Sequence, residues 1–177
     1  VVQTLQDRGA SDVLFDMNSR YDVPGYGYQI AMGETALAES WQSRDYLSHN
    51  HCMLGHLYSW LFSGIGGISQ ESGSTAYKRI VIDPQIVGDL RDARVSFRSP
   101  YGLIRSEWKD APDEFVQTIE IPANATARIC LPATDPAKVT ESGKPVSGRK
   151  DMAVESGTDG RIELHVGSGV YRIAVEK

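Results

Sequence analysis

Between Tyr26 and His56 the sequence crowds Tyr26, Tyr28, Glu34, Glu39, Trp41, Tyr46, His49, Asn50, His51 and His56 into 31 positions. Carboxylates, imidazoles, an amide and aromatic rings are the groups a carbohydrate site needs. Rings stack on the C–H faces of a sugar, His and Asn bond its hydroxyls, and a carboxylate activates water. The same residue types also collect in helix packing, so Trp41 and Trp60 read first as core side chains. His51 and His56 stand five residues apart, which on a helix separates them by about 140° at ~100° per residue, so they make no metal pair. Glu34 and Glu39 have the same spacing and diverge likewise on a helix or a strand, a poor acid–base pair across one bond. No G-x-S-x-G elbow, phosphate loop or dinucleotide fingerprint is found, so neither metal nor cofactor is expected.

The elements around these residues must come from 177 residues, about one domain on a prior of roughly 150 residues each. The composition, 41% hydrophobic and 23% charged, is that of a globular protein. A formal net charge of −5 argues against nucleic acid, which needs a basic face. No apolar run reaches the ~18 residues of a membrane span. The chain opens at Val1 without an initiator Met or signal-like segment, so it reads as the tail of a longer polypeptide. Cys52 and Cys130 are the only cysteines; two unpaired, buried thiols are expected.

Proline divides the chain. Pro24 stands alone before residue 66, and the other seven prolines follow it. Helix interiors exclude proline and strand junctions tolerate it, so helices should precede a β domain. Asp12–Ser19 reads as a helix capped by Ser11, with Val13, Leu14 and Met17 on one face. Gly27 and Gly33 predict irregular chain between them. Met53, Leu54, Leu57, Tyr58, Leu61, Phe62 and Ile65 predict a helical stripe capped by Asn50 and stopped at Gly66-Gly67. After it, Lys78–Asp83, Ala93–Arg98, Leu103–Trp108, Phe115–Ile121 and Ala127–Leu131 read as strands. Arg161–Val166 and Val170–Val175 read as a closing hairpin about Gly167-Ser-Gly169. Residues 135–160 promise one short strand. Strands at this spacing predict an antiparallel β-sandwich, giving an α+β chain of segregated halves.

The order of several motifs resembles one family. Val23-Pro-Gly-Tyr-Gly-Tyr28, Gly33-Glu-Thr-Ala-Leu-Ala-Glu-Ser-Trp41, and Asn50-His51 with Gly55 and Trp60-Leu61 resemble the end of the catalytic domain of bacterial α-L-rhamnosidases, glycoside hydrolase family 78. Tyr77–Gln85, Ser99–Gly102 with Trp108, Ile121–Ala127, Leu131-Pro132 and Val166–Tyr171 resemble its C-terminal β-sandwich.

The resemblance implies residues 1–67 as the last helices of an (α/α)6 barrel, 68–76 as a linker and 77–177 as the sandwich. It implies an inverting hydrolase that removes terminal α-L-rhamnose, with Glu39 as general base, Glu34 as its fallback, and His51 bonding substrate. Asn50, Trp41 and Tyr26 join as substrate-binding candidates. The partners implied are a rhamnose-containing carbohydrate and the upstream part of the same polypeptide, which would hold the general acid. The sequence departs from the family at Ala38, where a Trp is common, and in the interval of 12 residues from Glu39 to His51. A shorter loop there opens the rim of the site. The activity suits the periplasm or secretion, with the cytoplasm left open. The alternative is a non-catalytic sandwich module that binds carbohydrate or supports a neighbouring domain. For sugar binding Trp108, Tyr101 and Phe97 are the candidate rings.

Overall fold

The computed structural model describes residues 1–177, which divide into two compact units, Val1–Leu61 and Phe62–Lys177. The first unit holds α1 (Val2–Asp7), α2 (Ser11–Asn18), α3 (Tyr26–Ala31) and α4 (Leu57–Trp60). The expected helix over Asp12–Ser19 is α2, but Ala10 rather than Ser11 caps it. Ser11 is buried, and its hydroxyl oxygen accepts the Trp60 indole N–H at 2.8 Å. Leu14 is buried while Val13 and Met17, expected beside it, are exposed.

Two helical expectations need correction. The segment between Gly27 and Gly33 is not irregular but forms α3. Gly27 serves close approach there: a Cβ at this position would lie 2.3 Å from the carbonyl oxygen of Arg20. The helix expected over Asn50–Ile65 is broken into a 3-10 turn (Cys52–Leu54), α4 and a π-helical turn (Leu61–Ile65). His51, not Asn50, caps its start, with the ring Nδ1 accepting the Met53 N–H at 3.0 Å. Its supposed stripe is split as well, since Leu54 and Ile65 are buried but Met53, Tyr58 and Leu61 are exposed.

The second unit is built from β1 (Ile68–Gln70), β2 (Arg79–Ile82), β3 (Asp92–Ser99), β4 (Gly102–Asp110), β5 (Glu114–Ile121), β6 (Thr126–Cys130), β7 (Val139–Glu141), β8 (Lys144–Pro145), β9 (Ala153–Ser156), β10 (Ile162–Val166) and β11 (Gly169–Glu176). They form a sandwich of two sheets, ordered β1-β2-β6-β10-β9 and β3-β4-β5-β11-β7-β8. Pairing is antiparallel except between β2 and β6, which run parallel. Residues 68–70, within the expected linker, pair with β2 as an edge strand.

The closing hairpin is not one. β10 pairs with β6 and β9 in one sheet, while β11 pairs with β5 and β7 in the other. Gly167-Ser168 therefore carries the chain from sheet to sheet. Residues 135–160 hold β7, β8 and β9 rather than one strand.

Alternation sets the core. Phe115, Gln117, Ile119 and Ile121 point inward from β5, as do Ile162, Leu164 and Val166 from β10. Each large apolar side chain so buried stabilises by about 1.5–3 kcal/mol. The Gln117 amide reaches the Ser106 hydroxyl at 3.2 Å, a buried polar pair among them. Gly67, at φ +75°, lets the chain press against Asp83-Pro84, where a Cβ would lie 2.4 Å from the Pro84 nitrogen.

Candidate active site

The candidate site lies in the loops that follow α3. Two loop stretches, 37–39 and 48–51, are clamped by backbone bonds. The Glu39 N–H donates to the Ser48 carbonyl at 2.8 Å, and the His51 N–H donates to the Leu37 carbonyl at 2.8 Å. The 12-residue interval that looked short in the sequence is thus a loop closed at its base. The clamp fixes both residues of greatest interest on facing sides of one loop.

The Glu39 side chain joins the clamp, since the Ser48 N–H donates to its Oε2 at 3.1 Å. An N–H on one oxygen orients the carboxylate and leaves the other oxygen to accept a further hydrogen bond or proton. His51 is oriented with equal definition. Its Nδ1 accepts the Met53 N–H, so in the neutral ring the proton sits on Nε2, a hydrogen-bond donor.

Glu34 makes a different partnership. Its Oε1 lies 2.7 Å from Nδ1 of His49, and its side chain is only 9% exposed. His49 was seen in the sequence as part of the cluster but assigned no partner. The pairing occupies one oxygen of Glu34 and gives the two glutamates different partners.

Tyr26 and Trp41 come together. Their rings meet edge-on with centroids 4.9 Å apart, and the Tyr26 hydroxyl donates to the Leu54 carbonyl. Burial raises the Tyr26 phenol above its ordinary pKa, so it stays protonated and a donor. With His56, Leu14 and Asn18 the two rings line a cavity of about 390 Å³ whose lining includes neither Glu34 nor Glu39. Asn50 is exposed, its N–H donating to the Ser48 hydroxyl at 3.2 Å.

Sequence reasoning missed Gln29 altogether. It is 3% exposed; its Nε2 donates to the Ser40 carbonyl at 3.2 Å and its Oε1 accepts the Ala38 N–H at 3.3 Å. A lone Gln on a helix carries no periodic signal, and only the loop it bonds reveals it.

The sandwich offers no stacked platform. Trp108 is 2% exposed and donates its indole N–H to the Ile65 carbonyl at 2.8 Å. Phe97 packs between Phe62 and Tyr77, which leaves Tyr101 as the one exposed ring of the three candidates. A cavity of about 450 Å³ on the first sheet is lined in part by Arg79 and Arg128, already neutralised by Glu71 and Glu163. The cysteines are both free, but Cys52 is exposed rather than buried. No helix is long and apolar enough to cross a membrane.

Comparison with known proteins follows the same division. Residues 1–65 match the family model of the bacterial alpha-L-rhamnosidase 6 hairpin glycosidase domain, and residues 67–145 that of the bacterial alpha-L-rhamnosidase C-terminal domain. An alpha-L-rhamnosidase of Streptomyces avermitilis is 30% identical over 99% of this chain, which spans 17% of that protein's length. The crystal structure of the Streptomyces avermitilis alpha-L-rhamnosidase complexed with L-rhamnose superposes on 98% of this chain, and 17% of its own, with a TM-score of 0.85 at 29% identity. An alpha-L-rhamnosidase structure from Dictyoglumus thermophilum gives 0.86 at 27% identity, over 99% of this chain and 20% of its own. In both its helical and its β portions, the chain belongs to the bacterial α-L-rhamnosidase family.

Proposed function

We propose that residues 1–177 supply the general base and the terminal sandwich of an inverting hydrolase that removes terminal α-L-rhamnose from glycosides or polysaccharides. The observation that carries this reading is the Glu39 carboxylate, held through Oε2 by the Ser48 N–H. Its Oε1 is the atom that takes a proton from water as water attacks the anomeric carbon. His51, donating from Nε2, bonds a sugar hydroxyl or that water. Asn50, exposed beside it, offers an amide for a second hydroxyl.

Inversion needs a carboxylic acid on the opposite face of the sugar, ~6.5–9.5 Å from the base. Glu34 is paired with His49 instead, and its five-residue spacing from Glu39 makes a poor acid–base pair. The acid belongs to another part of the longer polypeptide. Ten of the twelve large exposed hydrophobic side chains fall within Val1–Leu61, a surface that suits a covering partner. The remaining hairpins of the barrel fit that role. Tyr26 and Trp41 would meet substrate through the cavity they line with His56 rather than at Glu39. The sandwich acts as structural support, since the buried Trp108 gives the sugar-binding alternative no platform.

The test is the stereochemistry of the first product. Proton NMR of the full-length polypeptide acting on an aryl α-L-rhamnoside should show β-L-rhamnose before mutarotation. An α-anomer appearing first would contradict inversion and a water-activating Glu39.

A further inference from the structure

We infer that Gln29 is the positioning residue of the Glu39 carboxylate, acting through the backbone on both sides of it; this rests on Glu39 being the base. Gln29 stands in α3 with its side chain buried. A buried amide must satisfy both ends, and both ends of this one go to the loop. Oε1 accepts the N–H of Ala38, the residue before Glu39, and Nε2 donates to the carbonyl of Ser40, the residue after it. The backbone carbonyl of Gln29 accepts the Glu34 N–H at 3.0 Å. One residue thus ties three points of the segment that carries the base.

The other side of Glu39 is fixed by Ser48, through the N–H of Glu39 and the carboxylate oxygen. Glu39 is therefore held between a helix and the far side of its own loop. Either support alone leaves a hinge. Ser48 sets the distance across the loop, and Gln29 sets the rotation of the 38–40 backbone that aims the side chain. An aliphatic side chain at position 29 would fill the space but leave the Ala38 N–H and the Ser40 carbonyl unpaired, and the backbone would turn to find partners. The base then moves relative to the anomeric carbon, and displacements of this order cost rate rather than binding.

The experiment is a double-mutant cycle in the full-length enzyme with an aryl α-L-rhamnoside. Gln29→Leu is expected to lower kcat by about 10²-fold with KM changed less than about threefold. In a Glu39→Gln background the same substitution should cost less than about twofold, because residues that act as a unit are not additive. An unchanged kcat, or an equal loss in both backgrounds, would overturn the role of Gln29 while leaving Glu39 as the base. Full turnover by Glu39→Gln alone would overturn both. If Gln29→Leu fails to fold, Gln29→Glu is read in its place, since it keeps an acceptor for Ala38 and loses the donor for Ser40. A smaller kcat loss that vanishes in the Glu39→Gln background supports the role, and an additive or absent loss overturns it.

Discussion

Glu39 and Ser48 exchange two hydrogen bonds, one from the Glu39 N–H to the Ser48 carbonyl at 2.8 Å and one from the Ser48 N–H to Glu39 Oε2 at 3.1 Å. Backbone and side chain of the proposed base are both committed to one residue nine positions away. The loop between them serves as the setting of a carboxylate. Three residues later His51 repeats the arrangement in a smaller way, its N–H on Leu37 and its Nδ1 under Met53.

That double use of His51 separates folding from function. His51→Asn keeps a short acceptor for the Met53 N–H, while His51→Ala loses the cap at about 1 kcal/mol. Urea unfolding of this chain should place Asn close to the parent and Ala below it. In the full-length enzyme both should lower kcat/KM on an aryl rhamnoside by about tenfold, the worth of a lost hydrogen bond. Equal activity of Asn and parent would remove His51 from the site.

Trp108 tests the sandwich core. Its indole N–H is the partner of the Ile65 carbonyl at 2.8 Å. Trp108→Phe leaves that buried carbonyl unpaired, which should cost about 1–3 kcal/mol in urea unfolding, apart from any cavity. An unchanged midpoint would mean that water reaches Ile65.

The two thiols should differ sharply. Burial, with the Asp83 charge adding to it, pushes the Cys130 thiol up to about 12, and Cys52 is exposed. At pH 8 iodoacetamide should modify one thiol of the folded chain and two in denaturant, because the thiolate is the nucleophile. Two fast equivalents in the folded chain would contradict the packing of β6.

Acid should weaken the second sheet through Arg149. Its guanidinium holds the Asp151 carboxyl down at about 2. At Glu141 burial pushes upward, but bonds from Ser142 and Arg149 outweigh it and the carboxyl lies below its ordinary value. Both pKa values are lower in the folded state, so their stabilisation is complete above the unfolded carboxylate range, about pH 4–4.5. It is lost as pH falls through the folded values. Arg149→Met should therefore flatten the fall in stability between about pH 5 and pH 2. The same slope in both proteins would show the ion pairs to be without effect.

The sequence marked β3 by the alternation of Ala93, Val95 and Phe97, β4 as the return from the Ser99–Gly102 turn, and β5 by its end at Pro122. Over residues 135–160 it promised one short strand where β7, β8 and β9 stand, because runs of two to four residues give little period to read. Nor could it tell that β10 and β11 part company at Gly167-Ser168, since pairing is decided by which sheet each strand finds. α3 was hidden because Gly27 usually breaks a helix, and here it admits the Arg20 backbone. Glu39 and His51 stood out in the sequence only by their resemblance to the family pattern. Ser48, Gln29 and the Glu34–His49 pair did not, because their parts lie in hydrogen bonds between segments with no period to betray them.

The assignment of the base comes down to kcat of Glu39→Gln in the full-length enzyme, with Glu34→Gln beside it and L-rhamnose binding measured by calorimetry. Glu39→Gln should lose about 10²–10⁴-fold in kcat while binding L-rhamnose like the parent, and Glu34→Gln should lose far less. A Glu39→Gln enzyme within tenfold of the parent, or a larger loss in Glu34→Gln, would contradict Glu39 as the base.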